Sequence, residues 1–513
     1  MEILDCTFRD GGYYTDWNFP KKIVDNYLKT LSNLPISIVE LGYLSNKKDN
    51  NGPFYHLGES ILSNARSVLR KNQKIYVMIN FKEIHSSKDL DNLIYDKHKK
   101  IDGLRFAIAP KDLKKFISLV SPIIKKYKKL EFNVNIMYLS KWIKDENFIK
   151  KAIKNLNKKI YTISFVDSYG ALMPQDIKIF LEKVKKYKNK NLKFGCHFHN
   201  NCGLALANSI IAANSGCEVV DSTFKGMGRG AGNAETELLL ANDQIKNKEI
   251  SGFELNNLLE TFEKMKINMG WGSSFAYAFA AKNGFPQSEM MDLMQKRRLD
   301  PGTAVKAISN KITNINSIKF SNLEKIFSKN KLQNNYPTII GGAPSLSDYG
   351  EYFFKHINKK SPIILSGSNA LFNFLNLEIK IKNPLILILS GSEIKKINLA
   401  KNKKILEKIN LSGIIAEKDF ISNKPNLIKN GKIAVSTSVA VNPVLLAGMA
   451  LLKMKINRMH LAFFDGNPEE IKGRIVMKET QQSVEILKSK GLKLFSLTKS
   501  FLNLEQLNPW LND

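Results

Sequence analysis

The sequence predicts an α/β chain in three parts: an N-terminal (β/α)8 TIM barrel, a small helical module, and a C-terminal Rossmann-like α/β domain. Three observations predict it. Short β-branched runs alternate with helical patterns at roughly 30-residue spacing through the first half, which implies parallel strands joined by crossover helices. Eight such runs fall within about 240 residues, the size of one such barrel. Polar residues gather at the ends of the runs, where a barrel keeps its chemistry. A doubly wound open sheet is the competing arrangement, and the count of runs and the placing of the polar residues favour the barrel.

In order, the expected strands are Glu2–Phe8, Ile36–Tyr43, Lys74–Ile79, Asp102–Ile108, Leu130–Met137, Ile160–Val166, Leu192–His199 and Glu218–Phe224. Arg9 and Asp10 close the first, Glu40 sits late in the second, and Arg105 lies within the fourth. Asn135 closes the fifth, Asp167 the sixth, and His197 and His199 the seventh. The loop after the eighth is glycine-rich and runs from Gly226 to Asn233. Residues 1–245 make the barrel domain. Residues 246–315 read as helices, Phe253–Met265 and Trp271–Asn283 among them, and 316–335 as a polar linker with a short helix. A second α/β pattern fills 336–513, with strands at Pro337–Ile340, Pro362–Leu365, Leu385–Leu389, Gly413–Ala416, Lys432–Ser436 and Arg458–Phe464.

Composition narrows the function classes. Hydrophobic residues make up 43% and charged residues 24%, the balance of a globular chain rather than a disordered or fibrous one. The net charge of +31 comes mostly from Lys spread over amphipathic helices. Without an Arg stripe, an aromatic RNA-binding signature or zinc-finger spacing, it reads as solvated helix surface with an attraction for small anions, not as a nucleic-acid footprint. Four cysteines make no disulfide framework, and Met1–Asp5 lacks the basic flank and apolar run of a signal peptide, so a cytoplasmic location is expected. The longest uncharged stretches, Phe194–Cys217 and Ile433–Leu452, carry His, Asn, Ser and Pro, and read as buried strand and helix rather than membrane spans.

His197-Phe198-His199 is the sharpest local signal. Residues two apart on a strand face the same way, so both imidazoles enter one site. Structural histidines are the plain reading of an isolated pair. With Asp10 at the end of another strand and Asn233 able to add an oxygen, the set suits a divalent cation of the Mn²⁺, Mg²⁺, Co²⁺ or Zn²⁺ kind. Arg9, beside Asp10, can stabilise an enolate oxygen developing on a 2-oxo acid, or form a salt bridge to Glu40 or Asp167 that orients it. Gly11 and Gly12 let the backbone approach a ligand closely or take positive φ.

The runs Asp5–Gly11, Val39–Gly42, Val166–Gly170, Cys196–Asn200 and the glycine loop ending at Asn233 resemble, in order, the motifs of the DRE-TIM metallolyase superfamily. That superfamily holds hydroxymethylglutaryl-CoA lyases, isopropylmalate synthases and 4-hydroxy-2-oxovalerate aldolases. The resemblance implies metal ligands at Asp10, His197, His199 and Asn233 and an enolate-stabilising Arg9 oriented by Glu40; Gly11, Gly12, Arg105, Asn135 and Asp167, by their place at the strand ends, are expected to contact the substrate. It implies Mn²⁺ or Mg²⁺ as cofactor, with Co²⁺ or Zn²⁺ also compatible, a 2-oxo acid and an aldehyde as substrates, and a homo-oligomer. Gly11-Gly12-Tyr13-Tyr14 lies nearer the aldolases than the Claisen-type synthases, and Trp271–Tyr277 is similar to the helical module after the aldolase barrel. The aldolases carry a histidine base where this chain has Tyr13, an unpromising base with an ordinary phenol pKa near 10. Tyr13 as proton shuttle, water activated at the metal, and Tyr13 as pocket lining all stay open.

The C-terminal part resembles MptE-like domains through Gly341-Gly342-Ala343-Pro344-Ser345-Leu346. The resemblance implies a nucleotide or nucleotide-sugar ligand near Gly341, Gly342, Ser345 and Asp465, and thereby a role in glycan precursor synthesis. An ordinary strand–helix turn is the alternative at that position. For the whole chain the expectation is a metal-dependent aldolase. A Claisen-type acyl-CoA condensing enzyme is the second reading and a non-catalytic ligand-binding protein the third.

Overall fold

The computed structural model describes residues 1–156, 160–242, 252–295, 299–309, 318–327, 335–391, 411–417, 433–436, 442–468 and 471–507. It divides into two compact units, Met1–Met291 and Asp292–Asp513.

The first unit is the expected barrel. Eight parallel strands close in sequence order: β1 (Glu2–Asp5), β2 (Ile38–Leu44), β3 (Lys74–Asn80), β4 (Gly103–Ile108), β5 (Glu131–Ile136), β6 (Thr162–Asp167), β7 (Lys193–Phe198) and β8 (Val219–Ser222). β8 pairs back onto β1, Asp221 beside Leu4 and Ser222 beside Asp5. Helices cover the outer faces, so the strands are buried on both sides, as the near-continuous apolar run Ile38–Leu44 requires. Outward rings pack on helices, as Phe106 does on Phe116 and Phe165 on Phe180. The alternate positions point inward, and several of those are charged.

One difference from expectation matters for the site. β1 ends at Asp5, and Arg9 and Asp10 lie on a helix, Thr7–Thr15, instead of on the strand. The Asp5 carboxylate accepts the Thr7 N–H at 3.0 Å and the Tyr27 hydroxyl at 2.5 Å, which turns the chain out of the sheet early. Beyond β8, helices Gly252–Met269 and Phe275–Lys282 follow within the same unit. The turn between them docks on the barrel's loops: Trp271 Nε1 donates to the Lys225 carbonyl at 2.9 Å and Ser273 Oγ to the Asn200 carbonyl.

The second unit holds a nine-stranded sheet in the order β17-β16-β15-β10-β11-β12-β13-β14-β9. The strands are β9 (Phe320–Ser321), β10 (Thr338–Ile340), β11 (Ile363–Ser366), β12 (Leu385–Ile388), β13 (Leu411–Glu417), β14 (Ile433–Ser436), β15 (Arg458–Ala462), β16 (Lys493–Ser496) and β17 (Glu505–Gln506). All pairings are parallel except that of β9 with β14. Alternate residues feed two cores: Ile339, Ile364 and Ile386 face helices Pro443–Lys453 and Ile471–Ser489, while Ile340, Leu365 and Leu387 face Ser345–His356 and Gly367–Asn376. The expected 316–335 linker is in part structure. Residues 318–327 supply β9 and a short helix whose Leu323, with the following Phe327, enters the first of these cores. Its other residues, Asn335 apart, lie outside the described ones. Among the described residues, no helix is long and apolar enough to cross a membrane.

Candidate metal centre and the residues around it

The strand ends bring Asp10, His197 and His199 together, with their ligand atoms all within 4.8 Å of one another. The two imidazoles lie with ring centroids 5.0 Å apart, nearly perpendicular, as their spacing of two on one strand dictates. Asn233 joins them because residues 199 and 233 form an isolated bridge, and its Nδ2 donates to Asp10 Oδ2 at 2.5 Å. The glycine loop makes that approach possible: a Cβ on Gly228 would fall 2.3 Å from Asn233 Nδ2 and 3.1 Å from Asp10 Oδ2. Two buried polar atoms here lack any protein partner, His199 Nδ1 and Asn233 Oδ1. A carboxylate, two imidazoles and an amide oxygen, with orphaned acceptors among them, fit a divalent cation. Burial, then His197, pushes the His199 imidazole down to about 3, so it stays neutral and able to ligate. Burial alone would raise Asp10, but Arg9 and the imidazoles override it and hold the carboxylate well below its ordinary range.

A second set, Cys6, His197 and Asp221, meets the same distance test. Its chemistry argues against a metal. Burial pushes the Cys6 thiol well above its usual pKa, the thiol donates to the Ser222 carbonyl, and Asp221 is committed elsewhere.

Behind the cluster runs a buried ionic chain. Arg9 Nη1 meets Asp10 Oδ1 at 2.6 Å and Arg9 Nε meets Glu40 Oε2 at 2.7 Å. Glu40 Oε2 also meets Arg105 Nη1 at 3.2 Å, and Arg105 Nη2 meets Asp221 Oδ2 at 2.6 Å. The same Asp221 oxygen lies 3.0 Å from His197 Nδ1. Asp221, which sequence reasoning passed over, thus fixes the ring whose Nε2 faces Asp10 at 3.6 Å. Its position three residues into the eighth strand, among apolar neighbours, was the signal: a lone acid at an inward position of a barrel strand.

The other expected residues divide. Tyr13 lies at the rim, its hydroxyl 3.4 Å from that of Tyr43 and its ring edge-on to Trp17. Asn135 faces inward, and its buried Oδ1 has no hydrogen-bond partner. Arg105, 1% exposed, is held by ion pairs to Glu40 and Asp221. Asp167 turns into its own loop, where Oδ2 accepts the Leu172 N–H at 2.9 Å, and burial raises its carboxyl to about 6. Gly11 and Gly12 take ordinary helical φ, and protein fills the space above them: a Cβ would fall 2.6 Å from Met227 Sδ at the first and 2.1 Å from Trp17 Cδ1 at the second. They admit side chains, not a ligand.

In the second unit, Gly341 and Ser345 follow β10 and Asp465 follows β15, neighbours in the sheet. A Cβ on Gly341 would fall 2.1 Å from the Phe463 carbonyl oxygen, and one on Gly342 2.8 Å from the Ala370 nitrogen. Asp465 caps helix Ser345–His356, with Oδ1 accepting the Ser345 hydroxyl at 2.7 Å and Oδ2 its N–H at 3.1 Å. The expected phosphate-cradling N–H is therefore occupied by a carboxylate.

Comparison with known proteins agrees with the barrel. The HMGL-like family model matches residues 105–264. A 4-hydroxy-2-oxovalerate aldolase from Carboxydothermus hydrogenoformans is 28% identical over 47% of this chain and 70% of its own length. An oxaloacetate decarboxylase from Mycobacterium tuberculosis is 26% identical over 47% of this chain and 68% of its own. The crystal structure of the N-terminal domain of a proposed aldolase from Bacteroides vulgatus is 36% identical, covers 57% of this chain and 96% of that domain, and superposes with a TM-score of 0.53. With its barrel, its ordered motifs and these relatives, the chain belongs to the DRE-TIM metallolyase superfamily of metal-dependent carbon–carbon lyases.

Proposed function

We propose that the barrel is an aldolase that makes or breaks a carbon–carbon bond of a 2-oxo acid, with Mn²⁺ or Mg²⁺ held by Asp10, His197, His199 and Asn233. The observation that carries this reading is Arg9 fixed by two carboxylates beside that donor set. A divalent cation there supplies Lewis acidity toward the 2-oxo acid's oxygens. Arg9 spends Nε and Nη1 on Glu40 and Asp10 and keeps Nη2 to donate to the oxygen that gains charge as the enolate forms. Glu40, buried and bonded to both Arg9 and Arg105, holds that fork in place. In the cleavage direction a base takes the proton of the 4-hydroxyl, the C3–C4 bond breaks, its electron pair becomes the enolate, and the aldehyde leaves. We assign that proton to Tyr13, whose hydroxyl lies 3.4 Å from that of Tyr43. Tyr43, kept protonated by burial and by Tyr13, can donate to the Tyr13 oxygen as it gains charge.

The test is proton NMR of pyruvate in D₂O with catalytic Mn²⁺, or Mg²⁺ where lines broaden. Loss of the methyl signal, absent in His199→Ala, supports the reading, and no exchange with any metal refutes it. The Mycobacterium relative favours a second reading, decarboxylation of a 2-oxo diacid through the same enolate, which CO₂ release without any aldehyde would reveal.

The second unit is read as a ligand-binding domain for a nucleotide or nucleotide-sugar, which would tie the aldolase to glycan precursor synthesis. Strand order reverses between β10 and β15, the place where open α/β sheets bind ligands. A cleft of about 1200 Å³ lies there, lined by Ser345, Tyr349, Tyr352, Asp465, Lys499 and Phe501. The tyrosines offer stacking faces and Lys499 a charge for a phosphate. Calorimetric titration with UDP-sugars tests it, and no heat at millimolar ligand would refute it.

A further inference from the structure

Three arginines stand in or behind the barrel mouth, and carboxylates match two of them. Arg9 has Asp10 and Glu40, and Arg105 has Glu40 and Asp221. Arg229, on the glycine loop after β8, meets no carboxylate among the described residues. Its guanidinium carbon lies 3.9 Å from the centre of the Tyr13 ring. That contact covers one face of the guanidinium, and its N–H edge reaches the Tyr13 hydroxyl but pairs with no carboxylate among the described residues.

The loop is built to hold this side chain in place. Gln287 Nε2 donates to the Arg229 carbonyl at 2.8 Å, and the Tyr14 hydroxyl donates to the Gly230 carbonyl at 3.0 Å. Gly230 takes a φ of +60°, a conformation few other residues adopt. Just before Arg229, Gly228 lies directly against Asp10 and Asn233. Arg229 therefore projects from the edge of the reacting centre, stacked on the residue assigned the aldehyde-side proton. A half-buried cation whose nearest carboxylate charge, Asp10, is already shared with Arg9 and two imidazoles forfeits hydration and regains only part of it from a phenol. A ligand anion would complete it, and the planar fork suits carboxylate or phosphate.

We propose that Arg229 binds an anionic group, carboxylate or phosphate, at the far end of the aldehyde-derived half of the substrate, so that the aldehyde partner of this enzyme is itself an anion. The inference rests on the aldolase reading of the barrel and adds the chemical class of the second substrate.

Calorimetric titration of the full-length, Mn²⁺-loaded protein tests it with 2-oxoglutarate and 2-oxopentanoate, equal in length and differing in the distal carboxylate. 2-Oxo-4-phosphonobutanoate separates phosphate from carboxylate preference. The wild type should favour a distal anion by on the order of tenfold or more, the scale of one charge-assisted hydrogen bond. Arg229→Gln should bring the ligands near parity, and Arg229→Lys should keep part of the preference. Parity in the wild type overturns the inference, and so does Arg229→Gln weakening all the ligands equally, which would put Arg229 on the shared 2-oxo acid end. A parallel titration with pyruvate tells the failures apart. Pyruvate bound without distal preference sinks this inference alone, whereas no binding of pyruvate sinks the aldolase reading and this inference with it.

Discussion

Replacing Asp221 by asparagine should loosen the hold on a divalent ion without removing a ligand. One Asp221 oxygen serves both His197 Nδ1 at 3.0 Å and Arg105 Nη2 at 2.6 Å, in a site 1% exposed. Asparagine keeps the shape and an acceptor oxygen but removes the charge, so the His197 ring keeps only a weaker, neutral partner and loses the carboxylate that raises its basicity. Loss of such an outer partner typically costs about 10–100-fold in metal affinity, or roughly 1.4–2.8 kcal/mol. Arg105 is left with Glu40 alone at 3.2 Å, and breaking a buried pair outright costs about 3–5 kcal/mol, an upper bound here because Glu40 remains. Mn²⁺ binding followed by electron paramagnetic resonance gives the first quantity and urea unfolding of the metal-free protein the second. A folded Asp221→Asn variant that binds Mn²⁺ within twofold of the wild type would refute the argument that Asp221 orients a ligand.

Three more outcomes are expected. Gly12→Ala should destabilise the barrel by about 1–3 kcal/mol in urea unfolding, since its Cβ would fall 2.1 Å from the Trp17 ring; a neutral substitution would show that Trp17 moves freely. Arg9→Lys keeps the charge but not the fork that reaches Asp10 and Glu40 together, so pyruvate exchange should slow by on the order of 100-fold, with a smaller change in pyruvate affinity. Burial holds the Glu237 carboxyl at about 7, above its ordinary 4.5, so the folded state binds this proton more tightly than the unfolded chain. Its contribution to stability is therefore greatest below pH 4.5 and falls as pH rises through 7. Glu237→Gln should stabilise by roughly 1–3 kcal/mol at pH 8 and by nothing at pH 4.5, and an equal effect at both would contradict the assignment.

Much of the barrel was legible because its strands are short, apolar and regularly spaced, and because a spacing of two on one strand puts His197 and His199 on one side whatever the fold's details. Periodicity could not show where a strand stops. The chain leaves the sheet at Asp5 through a side-chain bond to the Thr7 N–H, so Arg9 and Asp10 reach the site from a helix. Asp167 closes β6 but sits on the side opposite Thr162 and Ser164 and bonds into its own loop, which a reading by strand end alone does not show. The glycines at 11 and 12 were read as room for a ligand when the room is taken by Met227 and Trp17 from elsewhere in the chain. Asp221 and Arg229 were hidden for a similar reason: each meets a partner more than 100 residues away, Arg105 for the first and Tyr13 for the second. β9 has only two residues, too few for any pattern to register.

The pairing of β1 with β8 means that the site is assembled at a seam. Asp10 comes from just after the first strand and Asn233 from just after the last, 223 residues later, and they touch only once the ring has closed. During synthesis, no partial barrel offers these donors together, however well its early strands have formed. An ion bound there would act as a clasp on the one joint that unites the two ends of the ring. Metal should then slow amide exchange along β1 and β8 more than along β4 and β5 on the opposite wall, turning an ordinary question of cofactor affinity into one about how often a closed ring opens.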